Sequence, residues 1–170
     1  MLLLGVIIIF LVLIAYQDYT ERAVSFWVFP LLAGLFITHN LADISIQEYL
    51  FNTGINLSFC VLQYIVLSLY FSIKHKQVIQ ITDKFLGWGD IVMALVLCLA
   101  FPPLVSFLFF FVSLLVATIL GIYLHYHHKT IPLAGIQAIV LIIWIMMVRF
   151  IFQHSLYDDT WILLKLNLEQ

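Results

Sequence analysis

Apolar residues along this chain fall into six long runs separated by short polar segments. The runs cover roughly residues 2–16, 25–38, 46–72, 91–101, 104–124 and 133–152. About 20 apolar residues in a helix span the hydrocarbon layer of a membrane, and the shorter runs reach that length if their helices continue into flanking polar residues. Ser45 and Glu48 form a capping-box pattern ahead of the third run, and Pro132 suits the first turn of the sixth. Pro30 marks the first turns of the second helix or kinks it. The pattern predicts an all-α fold, a polytopic membrane helix bundle with about six transmembrane helices.

Composition supports this assignment and limits the number of domains. Of the 170 residues, 65% are hydrophobic and 9% are charged, whereas soluble domains carry about 25% charged residues. We expect residues 1–154 to form one membrane-embedded core, with the apolar N-terminal run retained as a span because it lacks the basic residues and cleavage site of a signal peptide. Residues 155–170 place two acids ahead of Trp161 and an apolar stripe, which predicts a short C-terminal interfacial helix.

The basic residues predict an orientation. With six spans, the first, third and fifth loops share one side of the membrane. Those loops carry five of the seven Lys and Arg residues: Arg22, Lys74, Lys76, Lys84 and Lys129. The positive-inside rule therefore places these loops in the cytoplasm and both chain ends outside.

Two acids border the spans on that same side. Asp18 follows the first apolar run, and Asp90 follows Gly87 and Gly89 at the start of the fourth. Burying a charged side chain at the centre of a membrane helix costs about 2.5–3.5 kcal/mol, so acids at such positions usually have a function. The glycines allow backbone or substrate to approach closely. For Asp90 the alternative is a plain helix start, where the helix dipole favours an acid.

Two carboxylates at one face predict a specific chemistry. Brought within a few ångströms, they share one proton and titrate as a pair, which is the condition for aspartyl proteolysis. If the first helix continues through Arg22, this guanidinium faces Asp18 at i,i+4 and favours Asp18 as the base and Asp90 as the acid. The chain has no serine-hydrolase elbow and no HExxH zinc motif. Cys60 and Cys98 lie in apolar runs and indicate neither a metal site nor a disulfide.

Two further polar groups have a structural and a functional interpretation. Asn52, Asn56 and Gln63 share one face of the third helix, where they either line a polar cavity or form hydrogen bonds between packed helices. The second group is a histidine cluster at a membrane boundary, with no acidic or Cys partner nearby. A solvated interfacial patch is favoured there over a metal site. The cluster consists of His125, His127 and His128.

Three motifs, in order, resemble the type IV prepilin-like leader peptidases, which are GxGD-type membrane aspartyl proteases. They are Asp18-Tyr-Thr-Glu-Arg22-Ala-Val24, Gly87-Trp-Gly-Asp90 and Ile131-Pro132-Leu133. The resemblance covers roughly residues 4–147 and lacks the N-methyltransferase domain of the longer members. It implies Asp18 and Asp90 as catalytic residues, with Gly87, Gly89 and Arg22 contacting substrate.

The resemblance also implies a cellular role. The expected activity is cleavage of basic leader peptides from prepilin-like or pseudopilin preproteins, at the cytoplasmic face of the inner (plasma) membrane, without cofactor, metal or nucleic acid. This would place the protein in type IV pilus assembly or protein secretion. Two alternatives remain. The acids could relay ions in a proton channel or transporter, or the chain could be an inactive assembly subunit, since it departs from the family pattern at Ser25-Phe26 and Val92.

Overall fold

The computed structural model describes residues 2–76, 87–125, 133–152 and 155–159. Within these residues the chain forms α-helices and a terminal π-helix, and no strand. The elements are α1 (Leu2–Thr20), α2 (Val28–Asn40), α3 (Ile46–His75), α4 (Trp88–Ala100), α5 (Pro103–His125), α6 (Leu133–Met146) and the π-helix Met147–Phe152. The predicted all-α class and the order of six helices are confirmed.

The six helices differ in length. Four of those described are long and apolar enough to cross a membrane: α1, α3, α5, and α6 with the first part of the π-helix. Helices α2 and α4 are apolar but have 13 residues each. At 1.5 Å per residue each is about 20 Å long, shorter than the roughly 30 Å hydrocarbon layer.

Local signals predicted one helix start correctly, left the role of Pro30 open and predicted one helix end incorrectly. Ser45 caps α3, and its hydroxyl oxygen accepts a hydrogen bond from the Glu48 amide at 3.3 Å. Pro30 is the third residue of α2, within its first turn. The expectation that α1 continues through Arg22 is wrong, because α1 ends at Thr20 and Arg22 adopts a left-handed conformation with φ 56°. The i,i+4 geometry assumed for Asp18 and Arg22 therefore does not exist.

The C-terminal end of α4 is capped by side chains of other helices. Its last carbonyls have no partners further along the helix, and the following Pro102 and Pro103 have no amide proton to offer. Three polar side chains of α2 and α3 bond to these carbonyls instead. Asn40 donates to Leu99 and Ala100 (3.0 and 3.2 Å), Tyr49 donates to Leu99 (3.0 Å), and Asn56 donates to Cys98 and Phe101 (3.1 and 2.9 Å). For Asn56, hydrogen bonding between helices is the interpretation that the structure supports.

Helices α1 and α6 pack against each other along most of their length. The buried face of α1 repeats at every turn, through Leu4, Ile7, Leu11 and Ile14. Gly135, near the start of α6, is buried, and a Cβ built on it would lie 3.5 Å from the Ala15 carbonyl oxygen of α1. The C-terminal end of α1 therefore lies beside the N-terminal end of α6.

Several sequence expectations lie outside the described residues. They concern Pro132, Lys84, Lys129, the histidines at 127 and 128, the side chain of His125 and the C-terminal helix expected beyond residue 159.

Candidate active site

Asp18 lies on the face of α1 that packs against the bundle. It follows Ile14 by four residues, so it continues the buried stripe of α1 into the last turn of the helix. Its side chain is half-buried, whereas Tyr19 and Glu21 nearby are exposed. The helical repeat that packs the apolar core therefore also directs this carboxylate inward.

Asp90 lies in the first turn of α4. Gly87 is the N-cap residue, with extended backbone angles of φ −68° and ψ 148°. The amide of Gly87 donates to Asp90 Oδ2 at 3.2 Å, and the amide of Asp90 donates back to the Gly87 carbonyl at 3.1 Å. The helix-start interpretation of Asp90 is therefore correct as local geometry, but it accounts for only one of the two carboxylate oxygens.

The other oxygen of Asp90 binds the same helix end as Asp18. Ala134 donates its amide to Asp90 Oδ1 at 2.9 Å, and Gly135 donates its amide to Asp18 Oδ2 at 2.5 Å. The first amides of a helix have no partner within it and carry the positive end of the helix dipole, so they favour carboxylates. Consecutive amides of α6 thus hold the two acids close together, where their charges interact.

Gly135 is required by this close approach. A Cβ at position 135 would lie 3.0 Å from Asp18 Oδ2 and 3.2 Å from Asp18 Cβ. Contacts of that length are tighter than real Cβ atoms normally make, so a side chain here would push Asp18 away. No backbone strain is involved, since no described glycine has a positive φ.

Ala134 and Gly135 were not predicted from the sequence. They act through backbone amides, and an amide donor leaves no mark in the pattern of side chains. The available signals were Pro132, which suits a helix start, and a glycine three residues later. Neither signal indicates which side chain the helix end would bind.

The three residues expected to contact substrate lie in different environments. A Cβ at Gly87 would lie 3.3 Å from Asp90 Oδ2, whereas one at Gly89 would meet nothing within 4 Å. Gly87 thus faces the second acid, and Gly89 faces open space. Arg22 is exposed in the turn after α1, two residues beyond the helix end.

Exposed tryptophans mark the level of the two acids. Trp27 immediately precedes α2 and Trp88 begins α4, and their side chains are 77% and 70% exposed. The C-terminal ends of α2 and α4 also meet, because Asn40 of α2 donates to the last carbonyls of α4. The two N-terminal ends, with their tryptophans, therefore lie at the same end of the bundle. Because tryptophan concentrates at membrane interfaces, we expect the Asp90 end of α4 to lie near an interface and not at the membrane centre.

No group of three or more His, Cys, Asp or Glu residues in the described ranges has the arrangement of a metal site. The histidine cluster lies largely outside those ranges, so the metal alternative there is untested.

Comparison with known proteins identifies the family. The model of the type IV leader peptidase family matches residues 5–122, which include both Asp18 and Asp90. No curated protein and no solved structure matches the chain. Because the family match covers well over half of the 170 residues, the chain belongs to the type IV leader peptidase family.

Proposed function

We propose that the protein is a membrane aspartyl endopeptidase that removes leader peptides from prepilin-like preproteins, with Asp18 and Asp90 as its catalytic pair. The observation that carries the proposal is the convergence of both carboxylates on consecutive amides, Ala134 and Gly135, at the start of α6. These acids are separated by 72 positions and lie on different helices. Family membership supports the protease activity in general, and the convergence supports the two residues.

The geometry suits a reaction that shares one proton between two acids. One carboxylate takes a proton from a water molecule that attacks the scissile carbonyl, while the other, protonated, polarises that carbonyl and then helps the amine to leave. Because α1 ends before Arg22, the i,i+4 argument for Asp18 as the base no longer applies, and we assign the acid and base roles to the pair as a unit.

The location of the pair suits a substrate that is cut at the membrane surface. Both acids lie at helix ends, near the level of Trp27 and Trp88. Transport sites usually lie near the membrane midplane, so this depth favours a protease over an ion pathway. A basic leader peptide is attracted to an acidic site, and the excess of Lys and Arg in the odd-numbered loops supports a cytoplasmic location for that site.

The test is cleavage of a prepilin-like preprotein co-expressed with the full chain. Asp18→Asn and Asp90→Asn should each lower cleavage by about 10³-fold or more, since each carboxylate is needed in a different protonation state. The double variant should be no worse than either single one, because residues that act as a unit have non-additive effects. Immunoblots of membranes report both the substrate size and the amount of enzyme.

Glu21→Gln is the matched control, because Glu21 is an exposed acid three residues from Asp18. It should leave cleavage near wild type. Substantial cleavage by Asp18→Asn would remove Asp18 from the pair. A wild-type chain that binds preproteins but never cleaves them would instead support the inactive assembly subunit.

A further inference from the structure

A cavity with charged walls lies at the end of the bundle opposite to the two acids. Its volume of ≈ 170 Å³ is several times the share of one water molecule in the liquid, about 30 Å³. Leu4 of its lining and Asp18 are 14 positions apart on α1, or about 21 Å along the helix axis. The cavity is therefore separate from the proposed active site. Its described lining is Leu4, His39, Asp43, Arg149, Ser155 and Leu156.

Arg149 supplies a positive charge to this cavity. It lies within the π-helix Met147–Phe152 and is half-buried. Helices of this type are rare and occur frequently at functional sites. Among the described residues no carboxylate pairs with Arg149, although Asp43 lines the same cavity. A guanidinium at the end of a membrane helix needs a counter-charge, and its planar fork matches the oxygens of a phosphate.

Asp43 supplies a negative charge, held in place by a second segment. The Ser155 hydroxyl donates to Asp43 Oδ2 at 2.5 Å and so joins the turn after α2 to the segment after the π-helix. The other oxygen, Oδ1, accepts no hydrogen bond from the described residues. His39 contacts the Asn40 side chain through Nδ1 at 3.2 Å, which orients its ring. The cavity wall thus offers a cation and an anion that do not pair with each other.

We propose that this cavity binds the headgroup of a zwitterionic phospholipid that carries a primary ammonium. Arg149 binds the phosphate, the ammonium donates to Asp43, and Leu4 and Leu156 contact the start of the acyl chains. A purely anionic headgroup would satisfy Arg149 but be repelled by Asp43. A choline headgroup has no N–H to donate to Asp43. The site lies at the C-terminal end of α2 and at the π-helix Met147–Phe152, where we expect lipid headgroups.

The experiment measures lipid binding to the full chain. Protein purified in a neutral detergent and stripped of lipid is incubated with equal amounts of phosphatidylethanolamine, phosphatidylcholine and phosphatidylglycerol, and adducts are counted by native mass spectrometry. The ethanolamine lipid should be enriched roughly tenfold over the other two, as one charged hydrogen bond from its ammonium to Asp43 would give. Soluble phosphoethanolamine, added at the same concentration, should not displace it, because it has no acyl chains.

Two substitutions and two controls locate the site. Arg149→Gln should lower the binding of all three lipids, since each carries the phosphate, and Asp43→Asn should abolish the enrichment and raise phosphatidylglycerol binding to at least that of the ethanolamine lipid. Glu48→Gln and Lys74→Gln, at exposed charges outside the cavity, should keep the wild-type preference. Asp43 is exposed, so Asp43→Asn should fold even if Arg149→Gln fails to give monodisperse protein. The ratio of the three lipids bound by Asp43→Asn then tests the proposal.

Three results would overturn the proposal. They are equal binding of the three lipids, a preference that survives both cavity substitutions, and displacement of the lipid by soluble phosphoethanolamine. The last result would assign the cavity to a soluble ligand. Each readout is independent of proteolysis, so the proposal stands or fails separately from the peptidase activity.

Discussion

Gly135 controls how closely α6 approaches α1, and through that approach the position of Asp18. In Gly135→Ala the new Cβ would lie 3.0 Å from Asp18 Oδ2, so the carboxylate must move away from the Gly135 amide. A displacement of about 1 Å at a reacting group costs up to about 100-fold in rate. We therefore expect cleavage to fall roughly 10- to 100-fold, measured in membranes as the initial rate of preprotein processing at equal enzyme level.

Gly54→Ala is the matched control for this substitution. A Cβ at Gly54 in α3 would meet nothing within 4 Å. Alanine favours a helix over glycine by about 0.5–1 kcal/mol, so this variant should be as stable as wild type or more so, with unchanged cleavage. Equal rates for Gly135→Ala and wild type would show that the Gly135 contact with Asp18 does not position the acid.

At the residue scale, the sequence indicated Asp18 and Asp90 because a carboxylate beside an apolar run is conspicuous. It missed Ala134 and Gly135, which donate only backbone amides. It also misplaced Arg22, because nothing in Gln17-Asp18-Tyr19-Thr20 signals that the helix ends there. Side-chain chemistry can be recognised in a sequence, whereas the direction of a backbone amide depends on how the helices pack.

The capped end of α4 is a feature of three helices acting together. Asn56 is almost completely buried and donates to two carbonyls of this end. Asn56→Leu keeps the side-chain size but leaves both carbonyls without that donor, in surroundings that have no water to replace it. Two such bonds correspond to a loss of about 1–3 kcal/mol of unfolding free energy, measured by thermal or denaturant unfolding in detergent.

Ser58→Ala serves as the control for α3. The Ser58 hydroxyl is exposed and bonds to the Gly54 carbonyl of its own helix, so its loss should change stability by less than about 0.5 kcal/mol. If Asn56→Leu were equally mild, the cap would be incidental to the stability of α4.

At the scale of elements, the sequence predicted the helices better than their contacts. Apolar run length and the Ser45 cap were sufficient to predict the helices and their order. The polar face of α3 left two interpretations open, because an amide that lines a cavity and one that caps a neighbouring helix have the same spacing. Only the position of α4 decides between them for Asn56.

The whole molecule has two polar ends that should lie on opposite sides of the membrane. One end holds Asp18 and Asp90, and the other holds Asp43 and Arg149. Reporter fusions after Lys76 and His128 should therefore report the cytoplasm, and one after Asp43 the exterior, as the distribution of Lys and Arg requires. Paired fusions at each position, one to a fluorescent reporter and one to alkaline phosphatase, measure directly on which side of the membrane that position lies. An external Lys76 would place the acids away from the cytoplasm and contradict the proposed leader-peptide substrate.

The shortness of α2 and α4 has a consequence for how water reaches the acids. These helices pack side by side, and each is about 10 Å shorter than a typical hydrocarbon layer is thick. Lipid beside them must therefore thin, or polar solvent must enter to the depth of their ends. Hydrolysis consumes one water molecule per peptide bond. Local thinning of the bilayer would let this water reach the acids without a channel through the protein. The thickness of the surrounding bilayer would then control how easily water reaches the acids. Thicker bilayers would slow turnover, because they would keep water further from the ends of α2 and α4.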